Sequence, residues 1–79
     1  MLFKEAVSQR IIELCNMYNY SPNKLAELSA IPPSTLRALL ANQVDNPSST
    51  LIFKICKTLK IEIKEFYDSK LFDIKKLEY

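Results

Sequence analysis

The chain has 79 residues, enough for one small domain, and a formal net charge of +2 at pH 7. It contains no histidine and no glycine, so it lacks the commonest general base and both glycine-rich phosphate loops. We therefore expect no enzyme, no cofactor and no small-molecule ligand. No apolar run is longer than Ala38–Ala41 and the N-terminal stretch has no signal-peptide core, so we expect a cytoplasmic protein without a membrane segment.

The two cysteines are predicted to be core residues. Cys15 and Cys56 lie far apart in the sequence, form no CxxC pair and have no histidine with which to complete a zinc site. Both sit among apolar neighbours, which is typical of small, reduced side chains in a core. No metal site is predicted.

The first predicted helix runs from Phe3 to Tyr18, because apolar residues recur there at intervals of three and four. The residues of this stripe are Phe3, Val7, Ile11, Leu14, Cys15 and Tyr18. A second, short helix follows a break at Asn19, with Ser21 as its cap and Pro22 at its first position. It ends near Ser29. The residues expected to face inward on it are Leu25, Ala26 and Leu28.

Two consecutive prolines, Pro32 and Pro33, precede the third predicted helix. A proline holds the residue before it extended but is favourable at the first helical position. The pair therefore predicts a stiff elbow and a helix that runs from Pro33 to about Ala41, followed by Asn42 as a left-handed cap. Its inward residues are Leu36 and Leu39. Leu40 is expected on the outer side, as a core residue, a thymine-methyl contact or part of a protein interface.

A fourth predicted helix begins at Ser48 or Ser49. Its buried face contains Leu51, Ile52, Ile55, Cys56 and Leu59. Lys54 and Lys57 mark its exposed face, in preference to a phosphate site.

Residues 61–64 alternate as a strand does, but a lone strand has no partner here, so a short fifth helix through Phe66 and Tyr67 is preferred. The tail adds either a last helical turn or two, or a contact strip.

The second and third predicted helices are joined by a turn of about three residues, the spacing of a helix-turn-helix. Ala26 is small where the two helices would cross, Ile31 lies in the turn, and Leu36 and Leu39 pack back. In this motif the second helix is held so that its N-terminal part enters the DNA major groove. The proline elbow then sets the direction and the start of a recognition helix.

Two stretches, SPNKLAELSAIPPSTLRALL and NPSSTLIFKICKTLKIEIKEFYD, carry a more specific pattern. It comprises Ser, three residues and Leu-Ala, then Ser-Thr-Leu, then Asn-Pro before the fourth helix and a closing Glu-Phe. With it, the run from Ile11 to Phe72 resembles the XRE family, the Cro and lambda-repressor-like regulators. The resemblance implies a compact, all-α, five-helix DNA-binding domain over residues 1–68, with the motif proper at about 21–41. It also implies a homodimer on a two-fold symmetric operator. Residues 69–79 are a C-terminal extension and a candidate dimer contact.

The resemblance assigns DNA contacts residue by residue. Base reading falls to Pro33 and Ser34 at the start of the recognition helix and to Ala38 one turn on. Arg37, beside Ala38, is long enough to reach a guanine edge or a phosphate. The residues expected to meet phosphates are Ser21, Asn23, Thr35, Gln43, Asn46 and Ser48. Pro32 has no side-chain oxygen to cap the recognition helix, so the amides of Ser34 and Thr35 are open to solvent or an anion, or are satisfied by water or the Thr35 hydroxyl.

Some positions depart from the family pattern. Gln43 and Asp45 stand where lysines are frequent, Pro22 replaces a glutamine, and Cys15 replaces an arginine. From Ser21 to Ser49, two cations and two anions cancel. Because phosphate neutralisation supplies most of the non-specific affinity, a neutral face predicts weak binding with a shallow salt dependence.

Two functions remain open from the sequence. The first is a sequence-specific transcriptional regulator of double-stranded DNA, a repressor that acts by occupying its operator. The alternative is a helix-turn-helix protein-interaction module, antitoxin-like or an accessory regulator, with weak or no DNA binding. The loop without lysines and the apolar residues Ala38, Leu40 and Ala41 favour the alternative, whereas the helix spacing and Arg37 favour the first.

Overall fold

The computed structural model describes all 79 residues, Met1–Tyr79, as a bundle of five helices. The helices are α1 (Phe3–Tyr18), α2 (Pro22–Leu28), α3 (Pro33–Leu40), α4 (Ser49–Leu59) and α5 (Ile63–Phe66). Two single turns of 3-10 helix follow, at Lys70–Phe72 and Ile74–Lys76. The all-α, five-helix architecture predicted from the sequence is confirmed, and the tail adds two short turns. None of the helices combines the length and apolar character that a membrane crossing requires.

One core lies where α1, α2, α3 and α4 meet, and α5 closes it with the fully buried Phe66. The predicted inward residues of α3 and α4 are buried in it, Leu36, Leu39, Ile52 and Ile55 among them, except Leu51, which is half-buried at the edge of the core. Burial of apolar side chains contributes about 1.5–3 kcal/mol each for the larger residues. The core thus fixes α3 against α2 and α1, which is what gives the predicted recognition helix a defined direction.

Three expectations about burial are wrong. Leu28 is 47% exposed, since it lies about 160° round the helix from Ala26 and Ser29 takes the inward position instead. Phe3 and Tyr18, the first and last residues of α1, are also exposed, although the Phe3 ring lies 6.1 Å from that of Phe72. Leu40, for which the sequence leaves three roles on the outer side open, is half-buried and packs against the core, in agreement with the first of them.

The helices end without glycine. Four residues adopt left-handed backbone conformations, Asn19, Ala30, Asn42 and Lys60, with φ between 54° and 59°. Each follows one of the first four helices, and the next residue donates its amide back to a carbonyl five residues earlier, as Ile31 does to Ala26 at 2.9 Å. This is the Schellman arrangement, which glycine normally occupies. The predicted left-handed cap at Asn42 is confirmed.

The tail returns to the N-terminus of the chain. Leu2 and Glu78 form an isolated parallel bridge, in which the Phe3 amide donates to the Glu78 carbonyl at 2.8 Å and the Glu78 amide donates to the Met1 carbonyl at 2.9 Å. Upstream of the bridge, Phe72 packs against Phe66 and Tyr67, with ring centroids 6.1 and 4.9 Å away. The extension is therefore held to the body of the domain at both its beginning and its end.

Both cysteines are buried and unpaired, as predicted. Burial raises the pKa of the Cys15 thiol and of the Cys56 thiol above the ordinary value. A raised pKa keeps the thiol protonated and unreactive, so these residues act as small apolar side chains.

Candidate nucleic-acid interface

The N-terminus of α2 is organised by Ser21 and Pro22, as the sequence predicts. The Lys24 amide donates to the Ser21 hydroxyl oxygen at 3.1 Å, and Pro22 occupies the first helical position. A serine that accepts this bond still has its own hydrogen to donate, so Ser21 can cap the helix and meet an oxygen of a ligand at once. Asn23 is exposed beside it.

The elbow between α2 and α3 depends on three residues. Ala30 is left-handed, Ile31 is buried in the core, and Pro32 is extended with φ −55° and ψ 131°. Pro33 then begins α3. The predicted elbow is confirmed, and Ile31 pins it to the core so that α3 leaves the turn in a fixed direction.

The first turn of α3 has no side-chain cap. The Thr35 amide donates to the Pro32 carbonyl at 2.9 Å, so the expectation that this amide is open, or satisfied by water or its own hydroxyl, is wrong. The Ser34 amide has no partner within the protein, and the side chains of Pro33, Ser34 and Thr35 are exposed. One backbone donor is therefore open at the leading end of the helix.

Arg37 is the single charged residue of α3, and it is exposed with no acidic partner. It lies in a shallow groove between α2 and α3. The residues that line this groove are Ser21, Pro22, Asn23, Arg37, Leu40 and Ala41. The structure thus brings together one predicted base-reading residue and two predicted phosphate contacts. Ala38, on the next position, is half-buried.

The loop after α3 carries the other predicted phosphate contacts. Gln43 and Asn46 are exposed, and Ser48 caps α4 by accepting from the Leu51 amide at 3.0 Å. Asn46 lies on a second groove, beside Asp45 and the bridged chain ends, away from Arg37. None of these three residues lines the groove that contains Arg37.

Two ion pairs reduce the free charge of this region. Lys24 lies 3.9 Å from Glu27, with both side chains largely exposed. Lys4 Nζ lies 2.7 Å from Asp45 Oδ1. The hydrogen bond from Lys4, followed by its positive charge, lowers the pKa of the Asp45 carboxyl, which keeps that group ionised. Arg37 is left as the free cation of α3.

Sequence reasoning missed the contacts that fix α3 on α1. The Ser8 hydroxyl oxygen lies 2.7 Å from the Leu39 carbonyl oxygen and 2.9 Å from the Asn42 side-chain oxygen. These partners lie 31 and 34 positions away in the sequence, so no local pattern reveals them. The available signal is a serine placed directly after Val7, inside the apolar stripe.

A short α2, a tight turn and an α3 that exposes its first turn and Arg37 define a helix-turn-helix DNA-binding domain. Residues 10–70 match the family of Cro/C1-type HTH DNA-binding domains, and the chain belongs to that family. The XRE-type resemblance drawn from the sequence is thereby confirmed.

A solved structure agrees with this assignment. The chain is similar to the crystal structure of the prophage Lp1 protein 11, with a TM-score of 0.83 and 31% sequence identity. The similarity covers 92% of this chain and 97% of that one. None of the curated proteins matches the sequence.

Proposed function

We propose that this chain is a transcriptional regulator that binds double-stranded DNA in a sequence-specific way, with α3 as the recognition helix. The observation that carries the proposal is Arg37. It is exposed, has no acidic partner and shares a groove with Ser21 and Asn23 at the start of α2. A free guanidinium on the second helix of the motif is suited to the bidentate contact with guanine.

Base reading on this proposal involves the leading face of α3. Pro33 and Ser34 lie at its exposed start, and Arg37 extends from the next turn. Ala38 is half-buried, so it presents only a small apolar surface, as a contact to a thymine methyl group requires. The exposed residues of this face thus precede the half-buried Ala38 along α3.

Phosphate contacts on this proposal come from both sides of α3. Ser21 and Asn23 supply one side, together with Thr35 in the first turn. Gln43, Asn46 and Ser48 supply the other. These neutral side chains position the domain on the backbone without adding much charge-dependent affinity.

The regulator acts, on this proposal, as a cytoplasmic homodimer that represses by covering its operator. One module of this size makes few base contacts, and two copies related by a two-fold axis double them on a palindromic site. Residues 69–79, which expose Ile74 and Tyr79, are the proposed dimer contact. Sedimentation equilibrium of the chain with and without these residues measures that part of the proposal.

The test begins with selection of duplexes from a random pool, followed by fluorescence anisotropy on the enriched sequence. Replacing Arg37 with Ala is expected to cost about 1–3 kcal/mol of binding free energy and to relax specificity at one base position. The matched control is Lys64→Ala, which removes an exposed, unpaired cation from α5 and is expected to leave specificity unchanged. If no sequence is enriched, or if Arg37→Ala has no effect on the enriched one, the proposal fails.

The alternative, a protein-interaction module on the same fold, has less support. It relied on an apolar outer strip at Ala38, Leu40 and Ala41. Ala38 and Leu40 are half-buried, and Leu40 packs on the core, which leaves Ala41 as the exposed member. A chain that enriches no duplex but retains a protein partner, lost on Leu40→Glu, is the result that would favour the alternative.

A further inference from the structure

One ion pair joins the first helix to the loop that follows the recognition helix. Lys4 Nζ on α1 lies 2.7 Å from Asp45 Oδ1 in that loop. The two side chains differ in environment, since the Lys4 side chain is 22% exposed and the Asp45 side chain is 85% exposed. The lysine is thus the fixed partner, and the aspartate is the one that faces solvent.

Asp45 is the only charged residue between α3 and α4. It lies between Gln43 and Asn46, which the proposed function places against phosphates. An uncompensated carboxylate beside a phosphate is repelled, and the repulsion is strongest at low ionic strength. The loop can therefore approach the DNA backbone closely only if the negative charge of Asp45 is neutralised.

Lys4 lies beside the bridged ends of the chain. It shares a groove with Asp45 and Asn46, and the apolar side chains around it include Phe3, Ile74 and Leu77. A long lysine stem packs readily against such surface while its ammonium group stays at the edge. The ammonium group is then presented to the loop at a fixed place.

We propose that Lys4 is a positioning residue for DNA binding: it neutralises Asp45 and draws its carboxylate toward α1, which lets the loop after the recognition helix approach a phosphate. Lys4 itself does not contact the DNA. The inference rests on the proposed function and assigns it a residue outside the helix-turn-helix.

The test compares Lys4→Met, Asp45→Asn and the double variant on the duplex selected by the unaltered chain. Lys4→Met is expected to weaken binding about fivefold at low salt, and the matched control Lys64→Met less than about twofold. The double variant is expected within about twofold of the unaltered chain, because the carboxylate that needs neutralising is gone. Lys4→Arg, which keeps the cation, is expected to bind normally.

The slope of log affinity against log salt separates this role from a direct contact. A lysine that touches a phosphate contributes about one unit to the slope, so its loss lowers the slope in the double variant as well. A double variant with reduced slope and affinity overturns the inference, as does a Lys4→Met variant no weaker than Lys64→Met. A Lys4→Met variant whose weaker binding is accompanied by a lower urea midpoint, and is not restored in the double variant, shows a merely structural role and also overturns the inference. Absence of any duplex binding by the unaltered chain overturns the proposed function itself.

Discussion

Ala30 occupies one of the four left-handed backbone positions of the chain. It lies in the turn of the helix-turn-helix with φ 54°, where the Cβ atom of an L-residue is crowded at a cost of roughly 1–2 kcal/mol. Asparagine tolerates this conformation better, and it fills two of the other three left-handed positions, Asn19 and Asn42. Ala30 has no polar group with which to compensate, and its conformation is maintained by the burial of Ile31 next to it.

Replacing Ala30 with glycine is therefore expected to stabilise the domain. The removal of the Cβ relieves the crowding, while the greater freedom of glycine in the unfolded chain offsets part of the gain, which leaves about 0.5–1 kcal/mol. Urea denaturation followed by circular dichroism measures the change in the free energy of unfolding.

The control is Ala41→Gly, at an exposed position with φ −87°. There glycine relieves nothing and is expected to destabilise the domain or leave it unchanged. Equal effects at the two positions would contradict a strained Ala30.

At the scale of helices, α5 is too short to be stable alone and depends on α1. Arg10 makes the link: its Nε donates to the Phe66 carbonyl at 2.7 Å and its Nη2 donates to the Glu65 carbonyl at 2.8 Å. These are carbonyls at the C-terminal end of α5, where a cation is favourable. The planar guanidinium reaches both carbonyls at once. Its third nitrogen, Nη1, donates to Glu13, which lies on α1 with Arg10.

Loss of this link is expected to destabilise the domain. Arg10→Met, which keeps an apolar stem, is expected to cost about 2 kcal/mol, since hydrogen bonds that involve a charged group are worth about 1.5–3 kcal/mol. Arg10→Lys is expected to retain only part of this stability, because one ammonium group does not reproduce the geometry in which two guanidinium nitrogens each donate to a carbonyl. Chemical denaturation is the measurement, with Gln9→Ala, an exposed neighbour, as the control. Full rescue by lysine would show that charge alone is enough.

The turn at Ala30 and the contact between Arg10 and α5 show which features of the fold can be predicted from the sequence and which cannot. The elbow, the caps at Ser21 and Asn42, and the preference for a fifth helix over a strand follow from local rules on proline, capping and strand pairing. The hydrogen bonds from Arg10 to the carbonyls of α5 join residues 55 and 56 positions apart in the sequence. Local sequence patterns carry no information on such distant pairs. The left-handed Ala30 is hidden for another reason: glycine is the usual signal for that position and the chain has none.

The same division applies to the candidate site. Residue types and spacing single out Arg37, and its groove with Ser21 and Asn23 agrees with that choice. The pairing of Asp45 with Lys4 was not predicted, because it joins positions 41 apart. The contact of each predicted residue with DNA stays a prediction.

Considered as a whole molecule, the charge is unevenly distributed. The segment from Ser21 to Ser49 is neutral, and the excess of positive charge lies beyond it, mainly in α4 and the tail. Within the neutral segment, Asp45 is paired with Lys4 and Glu27 is paired with Lys24. The Lys24–Glu27 pair is exposed and 3.9 Å long, so Lys24 can exchange Glu27 for a phosphate, and Arg37 and Lys24 are the cations that phosphates can use.

This distribution predicts a shallow salt dependence of DNA binding. Two cations per protomer give a slope of log affinity against log salt of about −2, or about −4 for a dimer on both half-sites. Anisotropy titrations of the selected duplex across a range of salt concentrations measure it. A slope steeper than about −7 would mean that the lysines of α4, α5 or the tail also reach the backbone.

The bridge between Leu2 and Glu78 ties the two ends of the polypeptide to each other. Chain ends usually fray one at a time, each without effect on the other. Here the loosening of either end removes the hydrogen bonds of its opposite, so the beginning and the end of the molecule open in a single concerted event. The terminal residues that line the groove beside Lys4 would separate in the same event. Fraying of the termini is thereby coupled to the loop that follows the recognition helix.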